Sequence, residues 1–140
     1  MKHEGEFTLD LDAYTKLLER NPRVVSFTGM SNVLGTIPPV TEMAAAAKHG
    51  GALVVVDGAQ LVPHRAVDVE SLGADFLAFS SHKMLGPTGI GVLWGKPERL
   101  EEMEPFEGGG EMISDVQLDH STWASVPHRF EAGTPPIIEA

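Results

Sequence analysis

The chain has 140 residues, 42% hydrophobic and 21% charged, which suits one domain with one core and excludes general disorder. Its 20 acidic and 10 basic residues give a formal charge of −10, which repels phosphate backbones and argues against nucleic acid as a partner. With no cysteine, the chain holds no disulfide, thiolate metal site or cysteine nucleophile of its own, and no run approaches the ~20 apolar residues of a membrane span.

The opening MKHEGEF lacks the pattern of a signal peptide, so a cytoplasmic location is expected. Leu11, Tyr14, Leu17 and Leu18 then recur at helical spacing behind Asp10, a suitable N-cap, and Asn21-Pro22 ends that helix. Arg23–Thr28 reads as a strand and SNVLGTIPP as a loop. A helix follows from Pro39 to His49, closed by Gly50-Gly51. Leu53–Val56 is a short continuous apolar run, the pattern of a strand buried on both faces, and it ends in Asp57.

Asp75–Ser80 is the next strand, after a crossover long enough for parallel pairing. Ile90–Trp94 is another, reached through the short turn LGPTG and therefore antiparallel to its predecessor. Pro97–Met103 reads as a short helix. Beyond Glu104 the sequence predicts mostly loops with a hairpin or arm, and Pro135–Ala140 resembles the first turn of a helix. The expected fold class is α/β: one sheet of Arg23–Thr28, Leu53–Val56, Phe76–Phe79 and Gly91–Leu93, the first three parallel.

Two features call for a chemical explanation. Asp57 closes the most apolar strand, and Ser80-Ser81-His82-Lys83 closes the next. Ligands of open α/β sheets bind at the carboxyl ends of strands, and neighbouring strands lie about 4.8 Å apart. Asp57 and Lys83 would then face one small planar ligand from opposite ends. Pyridoxal 5'-phosphate (PLP) requires that arrangement: a lysine amine for its aldehyde, a carboxylate to keep its ring nitrogen protonated, and donors for its phosphate. Ser80 and His82 flank the lysine, and Gln60 stands three residues after Asp57.

Each residue has a plainer reading when taken alone. A lysine after a strand is usually a surface lysine, Asp57-Gly58 caps a turn just as well, and His82 alone suggests structure before catalysis. It is the order of buried strand, DGAQ, second strand, SSHK and glycine turn that carries the chemistry. His3, His49, His64, His120 and His128 show no metal-ligand spacing, so no metal is expected. Gly108–Gly110 lacks the surroundings of a P-loop and reads as an interdomain turn.

The segments SNVLGT, VVVDGAQLVPH, ADFLAFSSHKMLGPTGIGVLWGK, EGGGEMI and PHRFEAGTP together closely resemble the cysteine desulfurases of the sulfur-mobilisation (SUF) type, which serve iron–sulfur cluster assembly. These belong to the class-V aminotransferases and are related to the selenocysteine lyases. The resemblance runs from about Asp10 to the C-terminus. It implies fold type I, a mostly parallel sheet with one antiparallel strand, and PLP as cofactor. By the same resemblance Lys83 is the catalytic Schiff-base lysine, Asp57 pairs with the ring nitrogen, and Gln60 bonds the phenolic oxygen. Ser80 and His82 hold the phosphate, and Asn32 helps bind the substrate carboxylate; His64 stands where the family also has a histidine, and is read here as structural. Gly133 and Thr134 reach the phosphate of a neighbouring subunit, which implies a homodimer, and the segment after Gly110 is an arm near the partner's site.

Family members are much longer. Upstream they supply a phosphate-binding turn and a ring-stacking histidine; downstream, a small domain with the nucleophilic cysteine and a carboxylate-clamping arginine. Residues 1–140 are thus expected to be part of the PLP-binding large domain, inactive alone, with apolar surface left uncovered. The resemblance implies L-cysteine, converted to L-alanine with sulfur passed on as persulfide to an acceptor protein. L-selenocysteine, in a selenocysteine lyase, is the alternative substrate, and a non-catalytic PLP-binding or dimerisation module is the alternative of a different class.

Overall fold

The computed structural model describes residues 2–3 and 7–140, with side chains from residue 9 onward. The signal-peptide reading of MKHEGEF lies largely outside the described residues, as does the side chain of His3. Two short strands, β1 (Lys2–His3) and β2 (Phe7–Thr8), pair antiparallel at the start. Helix α1 (Leu11–Leu18) begins where expected: the Asp10 side chain accepts from the Ala13 N–H at 3.0 Å and satisfies one orphan donor of the first turn.

Then come β3 (Val24–Thr28), α2 (Val40–His49) and β4 (Leu53–Asp57), followed by a one-turn helix, α3 (Leu61–His64). Strands β5 (Phe76–Ser80) and β6 (Gly91–Gly95) complete a four-stranded sheet in the order β3-β4-β5-β6. The first three strands are parallel and the last antiparallel, as the connection lengths require. Helix α4 (Pro97–Glu101) is shorter than expected, and β7 (Ile113–Val116) with β8 (Ser121–Trp123) forms the anticipated hairpin. Near the C-terminus, Glu139 and Ala140 both donate to the Pro136 carbonyl, closing one turn.

Helices α1, α2 and α3 cover one face of the sheet. Val54, Val56 and Leu77 point into it, fully buried against Val40, Ala44 and Ala47 of α2, with Leu18 and Val62 packed alongside. Burying each such aliphatic side chain is worth roughly 1.5–3 kcal/mol. Tyr14 ties α1 to this layer: its ring meets Phe27 edge-on, and its hydroxyl donates to the Met43 carbonyl at 2.8 Å. Burial raises the Tyr14 phenol above its ordinary value.

The opposite face corrects one expectation. Leu53 and Val55 are only half-buried, so β4 alternates instead of being buried on both sides. Strand parity places Val24, Leu53, Val55, Phe76 and Leu93 on this face, where they line a groove of about 520 Å³ with Arg99, Glu102 and Met103 at its rim. The apolar run suits two covered faces; on this one α4 packs Leu100 over the Gly95–Phe76 corner, and Val24 and Leu93 stay exposed. The expected uncovered apolar surface is this stripe.

At the amino-terminal ends of the parallel strands sits a buried carboxylate, Asp75, 2% exposed. Its Oδ2 accepts from the Val54 N–H at 2.9 Å. Its Oδ1 faces Lys48 Nζ at 3.3 Å, Arg99 Nε at 3.8 Å and Lys96 Nζ at 3.9 Å. Asp75 therefore ties the start of β5 to β4, to the end of α2 and to the start of α4. Desolvation, with Lys96 beside it, holds the Lys48 ammonium below its ordinary value. Among the described residues no group of His, Asp and Glu is arranged to hold a metal, and no helix is long and apolar enough to cross a membrane.

Candidate functional site at the strand ends

The carboxyl ends of β3, β4 and β5 bring the predicted residues to one edge. Asp57 is the last residue of β4, in register with Thr28 on one side and Ala78 on the other. Two residues past Ala78, Ser80 ends β5, and residues Ser81–Met84 form one 3-10 turn that carries His82 and Lys83. Asp57, His82 and Lys83 are exposed, while Ser80 and Gln60 are half-buried. Parallel pairing of β4 with β5 thus sets the carboxylate and the amine at the ends of neighbouring strands.

Local chemistry orients each group. Asp57 Oδ1 accepts from the Ala59 N–H at 2.9 Å, an Asx-type turn that restrains the carboxylate. The chain must then pass close beneath: a Cβ on Gly58 would lie 2.7 Å from Leu77 Cδ1 and 3.2 Å from the Ala78 carbonyl. A side chain directly after the carboxylate would therefore have to displace the buried Leu77, which favours glycine there. Gln60 precedes α3, and its carbonyl accepts from His64 Nδ1 at 2.7 Å, which assigns the proton to Nδ1 and gives His64 a structural task.

Asn32 lies in the loop after β3, exposed, beside a compact turn organised by Ser31. The Ser31 Oγ accepts from the Val33 and Leu34 N–H groups, each at 3.2 Å, and the Ser31 N–H donates to Thr36 at 2.9 Å. Asn32 thus stands on the strand-end side of the sheet. Thr134 does not join this group through any described hydrogen bond. It is exposed in the C-terminal segment, where the neighbouring Gly133 N–H donates to the Gly110 carbonyl at 3.0 Å.

The same segment is anchored to the region around α4 by Arg129 Nη2 on Glu101 at 3.2 Å and by Trp123 Nε1 on Glu104 at 2.8 Å.

Two residues at this edge escaped sequence reasoning. Thr28 sits beside Asp57 and donates its hydroxyl to the Met30 carbonyl at 2.7 Å; a threonine ending a strand was the available signal. Ser81, between two residues with assigned roles, carried no signal of its own, because its partners lie six and nine residues away.

The donor set fits a small planar group with an aldehyde, a basic ring nitrogen and a phosphate. A carboxylate, an amine without a described partner, and hydroxyl and imidazole groups stand at the ends of two neighbouring strands.

Comparison with known proteins accords with this geometry. The sequence profile described as aminotransferase class-V matches residues 1–140. A probable cysteine desulfurase of Streptomyces coelicolor is 52% identical over 132 residues, covering 94% of this chain and 32% of the relative. Among solved structures, the apo cysteine desulfurase of Thermococcus onnurineus superposes with a TM-score of 0.89 at 45% identity, over 99% of this chain and 34% of that one. The cysteine desulfurase CsdA of Escherichia coli gives 0.83 at 44% identity, over 89% of this chain and 32% of that one. The chain spans about a third of the length of these relatives.

Proposed function

Because the chain belongs to the aminotransferase class-V family, with the fold type I sheet of its cysteine desulfurases, we propose that it is the cofactor-holding part of a PLP-dependent cysteine desulfurase of the SUF type. The observation that carries this reading is the register of β4 with β5, which sets Asp57 beside the strand that leads into Lys83. Bound at this edge, PLP supplies an electron sink for chemistry at the substrate Cα.

The residues of this chain then have distinct tasks. The Asp57 carboxylate would accept from the ring nitrogen and favour its protonated form, since an adjacent negative charge stabilises a cation. Lys83 Nζ anchors the aldehyde carbon and carries a proton to or from the substrate Cα. Ser80 and His82 donate to the phosphate, Gln60 to the phenolic oxygen, and Asn32 to the substrate carboxylate. Gly133 and Thr134 serve the phosphate of a second subunit in a cytoplasmic homodimer.

The overall reaction converts L-cysteine to L-alanine and leaves its sulfur on a thiolate as a persulfide, destined for an acceptor protein. These 140 residues contain no cysteine, so that thiolate is supplied from outside them. The test is borohydride reduction of the chain with PLP and peptide mass mapping, alongside a sulfide-release assay with L-cysteine. Expected are a pyridoxyl label on Lys83 and no sulfide release. A label that persists at full strength in Lys83→Ala refutes the lysine assignment, and robust sulfide release refutes the need for an external thiolate.

A further inference from the structure

Residues 82–89, which include Lys83, are exposed at every position, so packing contributes little to holding this segment in place. What holds it is a polar joint at its base, and one residue supplies most of that joint. The Ser81 N–H donates to the Ile90 carbonyl at 3.2 Å, extending the β5–β6 ladder by one bond. The Ser81 carbonyl accepts from the Gly86 N–H at 3.0 Å and from the N–H of Leu85. The Ser81 hydroxyl shares its proton between the Pro87 carbonyl and the Ile90 carbonyl, the latter at 3.1 Å.

The joint is also tight sterically. A Cβ on Gly86 would lie 3.0 Å from Ser81 Cβ and 3.1 Å from the Ser81 carbonyl oxygen. Leu85, just before it, has a φ of 64°, a left-handed conformation that costs a leucine strain unless its surroundings enforce it. Ser81 therefore closes the segment from three atoms, and the enclosed turn presents Lys83.

We infer that Ser81 is a positioning residue for Lys83: its hydroxyl pins the far side of the 82–89 segment and thereby fixes where the lysine amine stands. The inference rests on the assignment of Lys83 to PLP and deepens it. Loss of the hydroxyl leaves the backbone bonds but frees Pro87, and the amine then samples positions away from the strand edge. Poor placement of a reacting group by about 1 Å costs up to roughly 100-fold in rate, so a partial loosening is worth about fivefold to twentyfold.

The experiment compares the full chain with Ser81→Ala and Gly86→Ala, the second loading the same joint from the opposite side. Hydrogen exchange of the peptide spanning residues 81–90 is measured without PLP, and the rate of borohydride-fixed labelling of Lys83 is measured with it. Expected are faster exchange in that peptide alone, an unchanged melting temperature, and labelling still on Lys83 but about fivefold to twentyfold slower in both variants. Exchange or labelling rates in Ser81→Ala equal to those of the wild type overturn the inference while leaving the cofactor reading intact. A wild-type chain that takes no label at Lys83 sinks the cofactor reading, and this inference with it.

Discussion

The two ends of the sheet treat charge in opposite ways. At the amino-terminal ends of the parallel strands, Asp75 is buried, accepts from the Val54 N–H and faces three cations. At the carboxyl ends, Asp57 and Lys83 are exposed, and the Asp57 carboxylate is held by one backbone donor. A charge surrounded by partners stabilises the fold and has no capacity left for a ligand. A charge held in orientation but unmatched is available to one. The contrast separates an acid committed to the fold from an acid left available to a ligand.

Substitution at the buried end tests that contrast most severely. Asp75→Ala leaves the Val54 N–H unpaired and takes the shared counter-charge from Lys48, Lys96 and Arg99; it is expected to cost about 2–3 kcal/mol, read as a fall in the urea midpoint. A loss under about 1 kcal/mol would show that the network is ornamental. A change on the bare face follows in size. Leu93→Asp places a charge in the apolar groove and is expected to reduce self-association of the isolated chain, seen by light scattering at matched concentration. A wild-type chain that stays monodisperse and monomeric would remove the premise.

Tyr14→Phe deletes the hydroxyl that meets Met43 and is expected to cost about 1 kcal/mol. The phenol is raised above the ordinary value of 10.0, so the folded state holds this proton more tightly than the unfolded state. Its contribution is complete below pH 10.0 and is lost as pH rises through the folded value. Denaturation midpoints across that window should decline less steeply in Tyr14→Phe than in the wild type. The smallest stability effect belongs to the functional end: Lys83→Ala and Asp57→Asn should stay within about 0.5 kcal/mol of the wild type, even as labelling by PLP is lost or weakened. Destabilisation as large as that of Asp75→Ala would erase the distinction between the two ends.

The sequence made much of this legible because its signals were local. An apolar run ending in an acid, a second strand ending in a lysine, and a connection too short for a crossover together predicted three parallel strands, one antiparallel strand and the site edge. Less legible was whatever depended on distant partners. Asp75 precedes a strand with no hint that Lys48, Lys96 and Arg99 converge on it. Helix α3 is four residues long and includes Pro63, too short to show a period. The half-covered state of β4 escaped because an apolar run reports what a strand can bury, whereas burial depends on which helices are there to cover it.

Strand alternation puts Asp57 on the same face as Leu53 and Val55, in line with the groove that ends at Val24 and Leu93. The groove and the Asp57 carboxylate therefore share one face of the sheet. A partner that covered this face as far as Asp57 would lower the dielectric there, and the attraction between that carboxylate and a cation would strengthen. Covering that face and binding a cation at Asp57 would then be thermodynamically linked, each favouring the other.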